Sequence, residues 1–135
     1  MKNAIWSALV LVAVLVFASC STKSETVEPT ADEDTIFGAS LACNCVKYAR
    51  SRMPWLPTSL TTYTEKKNAI TTKTAAVGSI AVMPGSSSKY GHVAYVSAVG
   101  NDGTITIDEA NWVECKITTG VKVKPVDRKI VGYIK

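Results

Sequence analysis

The sequence has few of the features that mark a membrane-spanning or metal-binding protein. Its longest apolar run, Ala4 to Phe17, is shorter than the about 20 residues that a transmembrane helix needs. It contains one histidine, and its four cysteines lack the spacing of a zinc finger. Residues 37–135 contain no Asp-x-Asp calcium loop. These scarcities argue against a spanning helix, and no cofactor or metal is expected to be required.

The N-terminal residues have the pattern of an export signal. Lys2 precedes the apolar run, which ends in the residues Phe-Ala-Ser before Cys20. This ending resembles the bacterial lipobox, where the signal peptide is cut before a cysteine that then carries lipid. We expect residues 1–19 to be a signal peptide and Cys20 to be lipidated, which would anchor the protein in the cell envelope through its acyl chains. A simple signal peptide or an uncleaved anchor is the alternative.

Charge divides the exported part of the chain into two regions. Residues 21–34 carry five acids and one base and no aromatic residue, which predicts a flexible linker over 20–36. Residues 35–135 carry thirteen bases and six acids, and they predict one small domain over 37–135. The bases are scattered and do not alternate with aromatic residues, so nucleic acid is not expected as a partner. An anionic wall or membrane surface is compatible with this charge. We expect a monomer.

The order of the predicted elements is typical of an α+β fold. Residues 42–53 favour a helix that Pro54 ends, and the stretch 60–76 is ambiguous, with room for a second helix. After Gly78 the apolar residues alternate with a period of two, which predicts strands. The predicted strands are 79–83, 92–99, 104–111 and 130–134, with a further hairpin within 116–124. A helix followed by antiparallel strands indicates the α+β class.

The hairpin between the second and third predicted strands places polar residues together at its open end. With a turn at residues 100–103, His92 faces Asn111 and lies diagonally to Glu109 on one face of the sheet. Diagonal neighbours on one face are about 7–8 Å apart, so these side chains can meet. If the predicted helix packs on the apolar part of that face, its first turn brings Cys45 to the same place.

This cluster has the components of a cysteine hydrolase. A nearby imidazole and the positive end of a helix both favour the thiolate form of Cys45. His92 would accept the thiol proton and later deliver it to a leaving amine. Glu109 or Asn111 would hold the other ring nitrogen and fix its tautomer. A zinc site that includes the Cys-x-Cys pair is an alternative use of the same residues.

Four sequence blocks resemble the CHAP family of cysteine- and histidine-dependent amidohydrolases and peptidases. The blocks are Cys45 to Arg50, Gly78 to Val82, Tyr90 to Val96 and Gly103 to Trp112. The resemblance implies a papain-like fold in which an N-terminal helix carries the nucleophile and packs on an antiparallel sheet. It implies that Cys45 is the nucleophile, His92 the base, Glu109 the residue that orients the base, and Asn111 a further polar partner.

The resemblance also implies a function. It indicates a hydrolase of amide bonds in peptidoglycan, either an N-acetylmuramoyl-L-alanine amidase or an endopeptidase, and both activities occur in the family. Stem peptides or cross-bridges of the wall would be the substrate. The alternative is a non-catalytic envelope lipoprotein of the same fold that binds wall peptides or a protein partner.

The cysteines predict one disulfide. If Cys20 is lipidated, three cysteines are left, so at least one stays unpaired within the chain. Cys43 lies just before the nucleophile and Cys115 just after the Glu-x-Asn block. A bond between them would tie the helix start to the hairpin and spare Cys45. The pairings Cys45–Cys115 and Cys43–Cys45 are the rivals.

Overall fold

Regular structure covers much of the part of the chain that can be described. The computed structural model describes residues 32–135, and its side chains from residue 37. The predicted signal peptide 1–19 and Cys20 lie outside the described residues, so the lipid anchor and the envelope localisation stay predictions. Within residues 32–135 no helix has the length and apolar character to cross a membrane.

Three helices precede five strands between residues 32 and 135. The helices are α1 (Asp32–Ala42), α2 (Cys45–Arg52) and α3 (Tyr63–Asn68). The strands are β1 (Ile80–Met83), β2 (His92–Val99), β3 (Ile105–Ala110), β4 (Ile117–Val123) and β5 (Gly132–Ile134). All neighbouring strands are antiparallel, and the sheet order is β4-β3-β2-β1-β5. The predicted α+β class is confirmed.

Helix α1 begins inside the segment that was predicted to be a linker. The acidic composition of residues 20–36 predicted no regular structure, whereas the helix starts at Asp32. Its C-terminal half contains Ala39, Leu41 and Ala42, which are strong helix formers. This half is also tied to α2, because Lys47 Nζ donates to Ser40 Oγ over 2.8 Å. Regular structure therefore begins five residues before the predicted domain boundary.

Helix α2 begins at the predicted nucleophile. Asn44 has an extended backbone and caps the helix, because its Oδ1 accepts hydrogen bonds from the amides of Val46 and Lys47 at 3.0 Å. This cap moves the helix start three residues beyond the predicted one. Pro54 follows its end, as expected for a residue that cannot continue a helix. Cys45 is thereby the first helical residue, at the positive end of the helix dipole.

Alternation along the strands gives the sheet two apolar faces. Helix α2 covers one face, where its buried Ala49 and the C-cap residue Met53 pack with side chains of β1, β2 and β5. Those sheet residues are Ile80, Val82, Val93 and Ile134. The opposite face packs against side chains of β4 and of the segment before β5. Its buried members are Ala81, Met83, Ala94, Val96, Ile105, Ile107 and Tyr133.

The predicted position of the helix was therefore wrong. His92 pairs with Met83 and shares the second face with Ala94, whereas α2 lies on the face of Val93. The physical reason is that both faces of β2 are apolar, and the prediction considered only one of them. His92 opens β2 and Cys45 opens α2, so the two residues still meet at one end of the sheet.

The β2–β3 hairpin has the predicted register next to the site. Tyr95 pairs with Asp108 and Val96 with Ile107, as the predicted turn position requires. A bulge between Val96 and Ala98 shifts the half of the hairpin nearer the turn by one residue. Because the bulge lies beyond these pairs, it does not disturb the face that carries the site.

The predicted hairpin within residues 116–124 was also wrong. A single strand, β4, runs through this region and pairs with β3. Gly120 was the residue that suggested a turn. It has a φ of 70° and belongs to an irregular stretch of the strand. The register between β3 and β4 shifts at this level, and the Gly120 amide donates to Asp108 Oδ1 over 2.8 Å. Glycine thus marks a bulge in a strand.

Candidate active site

Cys45 and His92 interact where α2 and β2 begin. Burial of Cys45 opposes ionisation, but the His92 ring, the Val93 amide and the charge of Lys66 together bring the pKa of the thiol below its ordinary value. Burial also opposes the charged imidazole, yet contacts with Cys45 and Glu109 raise the pKa of His92 above its ordinary value. These opposite shifts favour a thiolate–imidazolium pair.

Glu109 holds the second nitrogen of the imidazole. Its Oε2 lies 3.0 Å from His92 Nε2, and the side chains of Glu109 and His92 are 1% and 5% exposed. This contact leaves His92 Nδ1 for the thiol. A carboxylate in this position fixes the ring orientation and stabilises the imidazolium. The predicted trio of Cys45, His92 and Glu109 is therefore brought together in one chain of contacts.

A second set of contacts closes a ring around the imidazole. Arg128 Nη2 donates to Glu109 Oε1 over 3.0 Å, and its guanidinium lies 3.9 Å from the centroid of the Trp112 ring. Trp112 in turn meets His92 edge to face, with ring centroids 5.1 Å apart. Sequence reasoning missed Arg128, because a base in the loop between β4 and β5 carries no local sign of a buried partner.

Asn111 is not placed as the predicted partner of His92. Its Oδ1 accepts a hydrogen bond from the Cys115 amide at 3.0 Å, and its backbone is left-handed with a φ of 62°. Strand β3 ends at Ala110, so Asn111 already belongs to the turn that follows. The residue lines the same cavity as Cys45, but its carboxamide oxygen stabilises the loop.

Cys43 and Cys115 form a disulfide, and Cys45 is a free thiol. The bond joins the α1–α2 junction to the loop after β3. It leaves neither Cys43 nor Cys115 for the rival pairings or for the zinc alternative. Among the side chains of residues 37–135, no group of three or more from His, Cys, Asp and Glu lies close enough to hold a metal ion.

Lys66 is a further site residue that sequence reasoning missed. It lies in α3, which begins with a capping box of Thr62 and Glu65. Its side chain is buried, and Nζ donates to the carbonyl oxygens of Tyr90 at 2.6 Å and Thr61 at 3.2 Å. Burial lowers the pKa of Lys66 below its ordinary value, although the negative charges of Cys45 and Glu65 act to raise it.

The sequence contained part of the information needed to predict helix α3. The pattern Thr-x-x-Glu at residues 62–65 predicts a helix start. The ambiguous stretch therefore contained a helix that its capping box could have located. Nothing in the pattern indicates that the fourth residue of that helix would be a buried lysine beside the active thiol.

The reacting groups open into a cavity of about 670 Å³. Cys45, His92 and Trp112 form part of its wall, and α3 contributes Lys66. Besides His92, one arginine and two lysines line it, namely Arg50, Lys47 and Lys66, and none of the described residues that line it is acidic. The arrangement thus offers an activated nucleophile, a base and a positively charged surround for a bound molecule.

Comparison with known proteins points to one family. The CHAP domain model matches residues 36–111, more than half of the chain, and this match includes Cys45, His92 and Glu109. The crystal structure of Ly7917 is similar at 18% identity with a TM-score of 0.46, over 71% of this chain and 58% of that chain. This chain thus matches less than two thirds of that protein's length. No curated protein matches the sequence. The chain belongs to the CHAP domain family, which has a papain-like fold and consists generally of amidohydrolases and peptidases.

Proposed function

We propose that this protein hydrolyses amide bonds in peptidoglycan, as an amidase or an endopeptidase, with Cys45 as nucleophile. The observation that carries the proposal is the contact chain from Cys45 through His92 to Glu109 at the wall of an open cavity. A half-buried thiol whose pKa is lowered by an imidazole is the arrangement that covalent amide hydrolysis requires. A protein that only binds wall peptides would not need this set of residues.

The reaction follows from the placement of the two ring nitrogens of His92. The Cys45 thiolate attacks the amide carbonyl carbon, and the resulting oxyanion lies near the positive end of α2. His92 Nδ1 then gives its proton to the amine nitrogen, the C–N bond breaks, and a thioester is left on Cys45. His92, now neutral, takes a proton from water as the water attacks the thioester. The acid product leaves, and the thiolate–imidazolium pair is restored.

The charge of the cavity favours a substrate with carboxylates. Lys47, Arg50 and Lys66 belong to the wall of the cavity that holds the nucleophile, and no described lining residue is acidic. Stem peptides of peptidoglycan carry free carboxylates, so they suit a cavity of this sign. The overall positive charge of residues 35–135 would also favour approach to an anionic wall.

We also propose that the domain acts from a lipid anchor. The support is the apolar run followed by Ala18-Ser19-Cys20 and the acidic stretch after it. An acidic linker between Cys20 and the domain would let the domain reach substrate beside the membrane. Metabolic labelling with a fatty-acid analogue tests this proposal, because a Cys20→Ser variant should lose the label.

Digestion of purified peptidoglycan tests the chemistry. Wild type, Cys45→Ala and the control Ser51→Ala are compared, and the products are identified by mass spectrometry. Ser51 lies on the same helix but does not line the cavity. New amino termini within the peptides would indicate an endopeptidase, and release of intact stem peptides from muramic acid an amidase. Equal digestion by wild type and Cys45→Ala would refute the mechanism.

Thiol alkylation separates the enzyme from a binding protein of the same fold. An activated Cys45 should react quickly with iodoacetamide near neutral pH, and His92→Ala should slow the reaction. Slow labelling at the same rate in both proteins would favour the binding protein. The label is quantified on the peptide that contains Cys45, so that Cys20 does not contribute.

A further inference from the structure

We propose that Lys66 is a positioning residue for the Cys45–His92 pair. Lys66 holds the backbone just before His92 and places a buried positive charge beside the nucleophile. The inference rests on the proposed function, because it assigns a role in the same chemistry. It concerns α3, an element outside the four sequence blocks that carry the family resemblance.

The first support is the way in which α3 holds the entry to β2. Lys66 Nζ donates to the Tyr90 carbonyl over 2.6 Å, and Tyr90 is two residues before His92. On the same helix, the Tyr63 ring packs on Gly91 so closely that a Cβ there would lie 2.5 Å from it. Gly91 also has a φ of 61°. The backbone that presents His92 is therefore set by two contacts from α3.

The second support is the charge of Lys66. A neutral hydrogen-bond donor would be enough to position the backbone before His92. Lys66 is 2% exposed, and its two hydrogen-bond acceptors are uncharged carbonyls. A buried ammonium is unfavourable unless negative charge compensates it. Glu65 is one source of that charge, and the Cys45 thiolate is the other. The buried charge of Lys66 is thus matched to the ionised form of the nucleophile.

The other charged groups around the thiol are few. From α2 itself, Lys47 and Arg50 line the cavity, and Lys47 is exposed. From β2, His92 acts on the thiol by hydrogen bonding and charge, with Glu109 behind it. Lys66 differs from these bases because burial shields it from solvent. Its effect on the thiol should therefore survive high salt better than that of an exposed lysine.

The rate of Cys45 alkylation as a function of pH tests the inference in the full chain. Lys66→Met removes the charge and the donors while keeping a long side chain. Lys122→Met removes a lysine charge from an exposed position of β4 and is the matched control. We expect Lys66→Met to raise the apparent pKa of Cys45 above its value in Lys122→Met. We expect it to lower kcat/KM on peptidoglycan fragments about tenfold or more, whereas Lys122→Met should change neither.

A second readout follows the imidazole. The chain has a single histidine, so its NMR signals report on His92 without assignment. Loss of the contact with Tyr90 should shift these signals in Lys66→Met. Lys66→Arg keeps a positive charge and should retain a thiol pKa closer to wild type than Lys66→Met does. If Lys66→Met does not fold, as judged by circular dichroism, Lys66→Gln is measured against the same criteria.

The possible outcomes are distinct. A thiol pKa in Lys66→Met equal to that of Lys122→Met would overturn the inference, even if stability fell. If Cys45→Ala is inactive while Lys66→Met keeps both the wild-type thiol pKa and activity, only the role of Lys66 is lost. If Cys45→Ala still digests peptidoglycan, the proposed function fails as well.

Discussion

Glu109→Gln is the substitution that bears most directly on the chemistry. It keeps the size and shape of the side chain and removes its charge. In the wild type, Oε2 faces His92 Nε2 and Oε1 faces Arg128 Nη2, each at 3.0 Å. The amide cannot satisfy both partners as a carboxylate does, because one of its two ends is a donor. Either the imidazolium or the guanidinium is left facing a donor.

The expected magnitude follows from the burial of this group. The side chains of Glu109, His92 and Arg128 are 1%, 5% and 16% exposed, so water compensates little for a lost contact. Removing one partner of a buried charged pair typically destabilises a protein by about 3–5 kcal/mol, and an isosteric amide should fall near about 3 kcal/mol. Loss of a base-orienting carboxylate should lower kcat/KM by about 100-fold or more.

The pH dependence of stability gives a sharper signature. Contacts with Cys45 and Glu109 raise the pKa of His92 in the folded protein above its value in the unfolded chain. His92 therefore stabilises the fold fully below its unfolded pKa, and this contribution is lost as the pH rises through the folded pKa. Because Glu109→Gln removes part of it, the difference in unfolding free energy from wild type should be larger at about pH 5 than at about pH 9.

Urea unfolding at the two pH values and an NMR titration of the single histidine measure these effects. Glu114→Gln is the matched control, since Glu114 is exposed on the loop after β3. We expect the pKa of His92 to fall in Glu109→Gln and to stay at its wild-type value in the control. An unchanged pKa of His92, together with a kcat/KM within threefold of wild type, would refute the reasoning.

Three further predictions concern the surroundings of the site. Arg128→Met should lower the unfolding free energy by about 2 kcal/mol, because it takes a charged donor from buried Glu109. Lys129→Met, at an exposed neighbouring position, is the control. If urea unfolding shows an equal or smaller loss for Arg128→Met than for Lys129→Met, this prediction is wrong. Gly91→Ala should have a melting temperature well below that of Gly103→Ala. Both glycines have positive φ, but only Gly91 packs against Tyr63. Equal melting temperatures would show that the close contact is unimportant. The double variant Cys43→Ser/Cys115→Ser should have an unfolding free energy about 4 kcal/mol below wild type in urea, because the disulfide closes a long loop across 72 positions. Wild-type stability would argue that the bond does not form.

The strands next to the site could be predicted because their signals are local. Alternation over His92–Val99 matched β2 at both ends, and the turn residues between β2 and β3 placed the register correctly beside the site. The position of Cys45 in the first turn followed from helix propensity and from Pro54. These features depend on residues close in sequence, so a pattern is enough to find them.

The remaining features depend on which surfaces meet. Both faces of β2 are apolar, so alternation could not show which one α2 would cover. Gly120 favours a turn and a strand bulge equally well, and only pairing with β3 decided between them. The side chain of Asn111 turned to the Cys115 amide because β3 ends one residue before it. Such outcomes depend on the competition between contacts of residues far apart in the chain.

The amino-acid sequence by itself determined the α+β class, most of the strands and the candidate trio of Cys45, His92 and Glu109. It did so because periodicity and turn propensity act over a few residues. Only the tertiary structure decided how that histidine is supported. Arg128 and Lys66 come from a loop and a helix on either side of it in the chain, and burial turns them from solvated bases into partners of the site. Burial is a property of the packed molecule, and no local pattern of residues contains it.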